Sequence, residues 1–283
     1  MVKCVAALLA VVLLAGPALA AAGPEADAKY WVEPMKKVHA KFSGDPGTFA
    51  QFGDSITVSM AFWASLFWDH KNLDAAAQAD FDLVKGRMKE ACWREWKGPE
   101  FGSEGQKTIR WALENVEKWL KKLNPEAAVI MFGTNDLGQV PPEEFEAKTR
   151  QVIQKCLDNG TMVILSTIPP KHGQEDKAKA YAAAQRKIAR DMGVPLCDYY
   201  QAVLDRRPDD WDGAAEKFKA EAKDVYQVPT LIAGDGVHPS NPKPWEGDYS
   251  AEGLKHNGFV LRNYMVLRSY AEVTREVLKA GGK

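Results

Sequence analysis

The chain has 283 residues, 46% of them hydrophobic and 27% charged, and a formal net charge of −1. That near-neutral balance excludes a nucleic-acid surface built on excess Lys and Arg, while the length suits one large α/β domain with a sizeable core. Beyond the N-terminal segment no apolar run is long enough to cross a bilayer.

Residues 1–20 read as an export signal, with Lys3 as the positive end, 5–15 as the apolar stretch and Ala18-Leu19-Ala20 as the cleavage region. An uncleaved anchor is the alternative, but Pro17 and the alanines favour processing, and Cys4 precedes the apolar run, which is the wrong side for lipidation. Export implies a periplasmic or extracellular destination and no stable membrane insertion once the signal is removed.

After that segment, glycine and proline divide the chain into strand-then-helix units, the pattern of a parallel sheet covered by helices. A strand is predicted at 48–52 and a helix from Ser55 to about Trp68. Residues 70–104 are less regular: a short helix near 73–81, a weak strand at 81–84 and a loop ending at 102–105, together a candidate lid or insertion. Ile109, Ala112, Leu113, Val116 and Leu120 recur at helical spacing and predict a helix over 108–123. Strands follow at 127–132, 162–166 and 194–197, with helices at 142–158 and 176–192; Pro142 suits a first turn and Gly160 a stop. Residues 199–226 read as mostly helical, 234–249 as a loop rich in Gly, Pro and Asn, and 251–280 as one long or broken helix. The expected fold class is α/β, with residues 21–283 forming a single three-layer domain around a mostly parallel central sheet.

Cys92, Cys156 and Cys197 remain after signal removal. An oxidising compartment permits one disulfide among them and requires none; Cys156 and Cys197 fall in apolar patterns and read as core. With no Cys-x-x-Cys and no paired histidines, the spacing offers no zinc site.

Three polar clusters carry the chemistry: Gly53-Asp54-Ser55-Ile56, Gly133-Thr134-Asn135-Asp136 and Asp235-Gly236-Val237-His238. The first two follow predicted strands, and open α/β sheets bind ligands beyond the carboxyl ends of their strands. Ser55, Asn135 and Thr167 should therefore gather at one rim. A serine hydroxyl needs a base to take its proton, and a histidine near neutral pKa serves best. Asp235, three residues before His238, can occupy one ring nitrogen and leave the other free. Ser55 at a helix start gains from backbone amides and the positive end of the dipole. An acyl-transfer oxyanion needs preorganised donors: the Ser55 amide, the Asn135 side chain and a glycine amide from Gly102-Ser103-Glu104-Gly105 can supply them.

In this order the clusters resemble the blocks of the SGNH (GDSL-type) serine hydrolases, with Ile56 where leucine is common. The resemblance spans 53–238 and implies a flavodoxin-like α/β fold and carboxylic ester hydrolysis without metal or cofactor. By that resemblance Ser55 is the nucleophile, His238 the general base and Asp235 the residue orienting it. Ser55, Gly105 and Asn135 would form the oxyanion hole. Gly105 is chosen because it precedes the helix predicted from Thr108; Gly102 is the alternative, and this block departs most from the family pattern.

Each residue also has an ordinary reading. Ser55 alone would be a helix N-cap and Asn135 a turn residue; Asp54 reads as organising its turn and Asp136 as supporting the asparagine loop. His39, His70, His172 and His256 lack a setting like that of His238. Of nine tryptophans, Trp63, Trp68, Trp111 and Trp119 fall on helices and read as packing residues. Trp93 and Trp96 sit within reach of a pocket, and Trp245, shortly after His238, is a candidate for lining the site. Asn159-Gly160-Thr161 matches a glycosylation sequon but reads as a helix stop.

The expected function is an exported esterase cleaving short acyl, above all acetyl, esters on carbohydrate or small molecules. A lysophospholipase or thioesterase, and a non-catalytic glycan-binding protein on the same fold, are the alternatives. A metallophosphoesterase lacks its Asp-x-His and Gly-Asn-His clusters here, and an α/β-hydrolase its Gly-x-Ser-x-Gly elbow.

Overall fold

The computed structural model describes residues 29–219 and 223–278; the expected export signal at 1–20 lies outside the described residues. Four parallel strands, β1 (Phe49–Gly53), β2 (Ala127–Met131), β3 (Met162–Ser166) and β4 (Leu196–Cys197), pair in the order β1-β2-β3-β4. Every residue of β1, β2 and β3 is buried. That explains why β2 and most of β3 read as apolar runs rather than alternating ones; in β1 the buried polar residue, Gln51, donates to the Cys92 carbonyl at 2.8 Å.

The outer edge of β1 carries the remnant of a fifth strand. Gly53 donates its amide to the Gly102 carbonyl at 3.0 Å and accepts from the Glu104 amide at 3.2 Å, a single parallel bridge centred on Ser103. With that bridge counted, the spatial order is flavodoxin-like, its second strand shrunk to one residue pair. The strand predicted at 81–84 is therefore a correction. These residues lie inside a helix, Ala75–Arg87, where Ala77, Phe81 and Val84 bury one side. Their spacing is helical, and the Asp74 carboxylate starts the helix by accepting the Ala77 amide at 2.8 Å.

In chain order the helices are α1 (Val32–His39), α2 (Ser55–Val58), α3 (Ala64–Trp68), α4 (Ala75–Arg87), α5 (Ala91–Arg94), α6 (Ile109–Leu123), α7 (Pro142–Asp158), α8 (Glu175–Met192), α9 (Tyr199–Arg206), α10 (Gly253–His256) and α11 (Gly258–Glu276). Right-handed crossovers stepping one way from β1 to β4 put α6, α7 and α8 on one face of the sheet. The step from β1 to the Ser103 edge runs the other way, so α4 falls on the opposite face, where α11 packs against it and β4. The sheet is thus sandwiched as expected.

Three further expectations are revised. The helix expected over 55–68 is two short ones, because Ser59 leaves the helical region and Trp63 adopts φ +64°. Only 199–206 of the stretch 199–226 is α-helical; past Pro208 the described chain makes 3₁₀ turns. The terminal helix breaks at Asn257, whose side chain accepts the Val260 amide at 3.0 Å and so caps α11.

Aromatic packing joins β1 to the helices. Phe49 stacks on Tyr270 with centroids 4.3 Å apart, Trp63 on Trp93 at 5.1 Å, and Phe52 meets Trp119 at 5.1 Å. Each such side chain contributes roughly 1.5–3 kcal/mol by leaving water. Trp93 is thus a core residue rather than a pocket residue, whereas Trp68, expected to pack, is 54% exposed. Cys92, Cys156 and Cys197 are free and buried, and burial pushes their thiols up to about 11, about 12 and about 11. Among the described residues no helix is long and apolar enough to cross a membrane.

Candidate active site

The turn that presents Ser55 is set by its neighbours. A side chain at Gly53 would lie 2.1 Å from the Thr57 hydroxyl and 2.7 Å from the Met131 carbonyl, so only glycine lets β1 turn directly into α2. Asp54 is extended, and its Oδ1 accepts the Ile56 amide at 3.1 Å. Asp54, not Ser55, therefore caps the helix, which leaves the Ser55 hydroxyl uncommitted to the backbone.

That hydroxyl lies 2.8 Å from Nε2 of His238, and Nδ1 of His238 lies 2.6 Å from Oδ2 of Asp235. The other Asp235 oxygen accepts the amides of Val237 and His238, each at 2.9 Å. Partial burial pushes the Asp235 carboxyl up, but the His238 ring and the two amides outweigh it and hold the group below its ordinary value. Gly236 turns the loop at φ +71°, and its carbonyl accepts the His172 amide at 2.9 Å. Ser55, 183 residues before His238, is thus brought into one hydrogen-bonded chain with His238 and its near neighbour Asp235.

The two glycines expected near the hydroxyl part company. A side-chain carbon at Gly102 would fall 2.2 Å from the Phe52 ring, which makes Gly102 a packing glycine. One at Gly105 would meet only the Ser55 Cβ, at 3.9 Å, so Gly105 is the glycine beside the serine. Among the described residues neither the Ser55 amide nor the Gly105 amide has a backbone acceptor. Asn135 donates its amide to the Lys107 carbonyl at 3.0 Å and lies 3.4 Å from Oδ2 of Asp54.

Two buried carboxylates support this rim. Desolvation raises Asp54 to about 6 against the Ile56 amide and the charges of Arg262 and His238. Desolvation raises Asp136 to about 7, the Asp54 charge adding to it, while its Oδ1 accepts the Ile109 amide at 2.9 Å. Asp136 does support its loop, by tying the asparagine turn to the start of α6.

Beside the serine opens a cleft of about 380 Å³, lined by Ser59, Ala61 and Phe259 together with Asp224, Tyr226 and Asn241. No motif marked these lining residues, because their segments lack any chemical pattern in the sequence. Trp245 stacks on His256 with centroids 4.7 Å apart and is not among the residues lining this cleft. Thr167, expected at the rim, is fully buried and hydrogen-bonds to Asp198. Among the described residues one exposed cluster, His172, Glu175 and Asp212, brings its donor atoms within 4.8 Å of one another; Nδ1 of His172 lies 2.5 Å from Asp212.

No curated protein matches the chain at a significant level. Among solved structures, the chain is similar to the psychrotrophic esterase EstA from Pseudoalteromonas, with 15% identity, 81% of this chain and 99% of that one covered, and a TM-score of 0.49. It is also similar to a catalytic mutant of an acetylxylan esterase from Geobacillus stearothermophilus (17% identity, 86% and 97% covered, TM-score 0.47). A GDSL-like lipase from Bacteroides thetaiotaomicron gives 15% identity, 86% and 98% coverage and a TM-score of 0.47. The family model described as GDSL-like lipase/acylhydrolase matches residues 52–242, from within β1 to beyond His238, and the chain belongs to that family.

Proposed function

We propose that this acylhydrolase works through an acyl-enzyme on Ser55. Ser55 Oγ attacks the ester carbonyl carbon while its proton passes to Nε2 of His238. Asp235, ionised at neutral pH, holds the ring and stabilises the imidazolium. The Ser55 and Gly105 amides and the Asn135 side chain meet the oxyanion, a role in which one lost donor costs about 10²–10³ in rate. Collapse breaks the carbon–oxygen bond, and His238 returns the proton to the leaving alcohol. Water then repeats the sequence on the acyl-enzyme and releases the acid. The observation that carries this reading is the unbroken run of contacts, 2.8 Å from Ser55 to His238 and 2.6 Å from His238 to Asp235.

The substrates proposed are short acyl esters, above all acetyl groups on carbohydrate. A moderate cleft with Ala61 and Phe259 suits a small acyl group. Tyr226, 38% exposed with its ring 5.9 Å from that of His238, offers a face for a sugar, with Asp224 and Asn241 as hydrogen-bonding partners. The N-terminal pattern supports export of a single hydrolase domain, 21–283, to the periplasm or medium. One observation favours a lipid acylhydrolase instead: Met60, 49% exposed, sits between the lining residues Ser59 and Ala61.

A fluorophosphonate probe should label the wild type at Ser55 and leave Ser55→Ala unlabelled; equal labelling of both would sink the mechanism. Rates on p-nitrophenyl esters should fall as the acyl chain lengthens, and acetate should be released from acetylated xylan. A rising profile would support the lipid reading, and glycan binding without turnover a non-catalytic one.

A further inference from the structure

The turn that follows Ser55 is held by two cations from distant parts of the chain. α2 is a single turn, so its carbonyls end without helical partners. Arg262, fully buried on α11, donates from Nη1 to the Ile56 carbonyl at 2.6 Å and from Nη2 to the Thr57 hydroxyl at 2.9 Å. Lys97, half-buried after α5, donates from Nζ to the Thr57 carbonyl at 2.7 Å and the Phe62 carbonyl at 3.2 Å. The Phe62 ring serves both, its centroid 3.6 Å from the guanidinium and 4.9 Å from the ammonium.

Two cations this close together, one fully buried and one half-buried, are costly unless paired. Their hydrogen bonds among the described residues all go to carbonyls and a hydroxyl, none to a carboxylate. Packing alone would be met by a methionine at either position. What both cations share is one target, the stretch from Ile56 to Phe62 immediately after the serine. Cations at the carbonyl end of a helix complement its dipole, and Arg262 also offsets the charge of buried Asp54, the residue that caps the other end. Arg262 lies beyond residue 242, outside the stretch that matches the family.

We propose that Arg262 and Lys97 are positioning residues for Ser55: a two-cation clamp that locks α2 from its carbonyl end and so holds the serine hydroxyl at hydrogen-bonding distance from His238. The proposal rests on the reading of Ser55 as nucleophile, and it places part of the site's rigidity in the terminal helix and in the segment between β1 and α6.

The test compares wild type, Arg262→Met, Arg262→Lys and Lys97→Met by three measurements. These are the rate of phosphonylation at Ser55, kcat and KM on p-nitrophenyl acetate, and amide hydrogen exchange across residues 54–62. Arg262→Met should slow phosphonylation and kcat by about 10–100-fold, the loss of two charge-assisted contacts, with KM within about threefold. Exchange in 54–62 should rise while β2 and β3 stay protected. Arg262→Lys should recover part of the rate, and Lys97→Met should lose about tenfold. Unchanged phosphonylation and exchange in folded Arg262→Met would overturn the clamp, as would exchange rising evenly over the whole sheet. Should Arg262→Met fail to fold, Arg262→Lys and Lys97→Met decide by the same criteria. A wild type that takes no probe defeats the nucleophile reading, and local exchange alone then decides the clamp.

Discussion

Two histidine–aspartate pairs of nearly equal geometry lie in adjoining loops, His238 with Asp235 at 2.6 Å and His172 with Asp212 at 2.5 Å. They are linked, since the His172 amide donates to the carbonyl of Gly236, between the two members of the other pair. Their second ring nitrogens differ: that of His238 meets the Ser55 hydroxyl at 2.8 Å, and among the described residues His172 has no such partner. The His172 side chain is also 52% exposed against 25% for His238. An imidazole beside a carboxylate is thus a common structural device. A hydroxyl at the free nitrogen and a half-dry setting are what the proposed acyl transfer asks of it.

The largest effect should come from removing what distinguishes the pairs. Ser55→Ala or His238→Ala is expected to lower kcat on p-nitrophenyl acetate by about 10⁴-fold or more, and the double variant by little beyond either alone. Independent, additive losses would show that the two do not act as a unit. Asp235→Asn should cost about 10²–10⁴-fold. Its thermal stability also bears on pH. The folded-state pKa of Asp235 lies below its ordinary value of 3.8, so its contribution is complete above that value and fades as pH falls through the folded pKa. Melting curves of Asp235→Asn should therefore lie below wild type at pH 7 and converge with it in strong acid; a gap that widens in acid would reverse the sign.

Gly236→Ala attacks the link between the pairs. A side chain there would sit 2.4 Å from the His172 Cβ at a φ of +71°, a strain of about 1–3 kcal/mol. Lower thermal stability together with roughly tenfold slower turnover is expected; unchanged kcat would mean that the loop tolerates the shift. The smallest effect belongs to the second pair itself. His172→Ala or Asp212→Asn should change kcat by less than about threefold, as for an exposed pair, and a large loss would give that pair a part in the reaction.

Legibility followed the same division. Asp235 and His238 are three residues apart, so their meeting could be read directly, whereas His172 and Asp212 are separated by forty positions and carry no pattern. The strands at 127–131 and 162–166 and the helices at 109–123, 142–158 and 175–192 were readable because apolar spacing there agrees with tertiary burial. The region 70–104 was not, because its edge strand is one residue pair and its apolar run belongs to a helix. The choice between Gly102 and Gly105 depended on where the Phe52 ring falls, and the partners of Lys97 and Arg262 on which carbonyls a broken helix leaves open. Neither is a local property of the chain.

The three sequestered sulfhydryls turn the molecule into its own stopwatch. With Cys92, Cys156 and Cys197 shut inside and poorly ionised, an aromatic disulfide reagent should consume them only as fast as the protein opens. The progress of that colour change would time the opening of the protein around them without any introduced label.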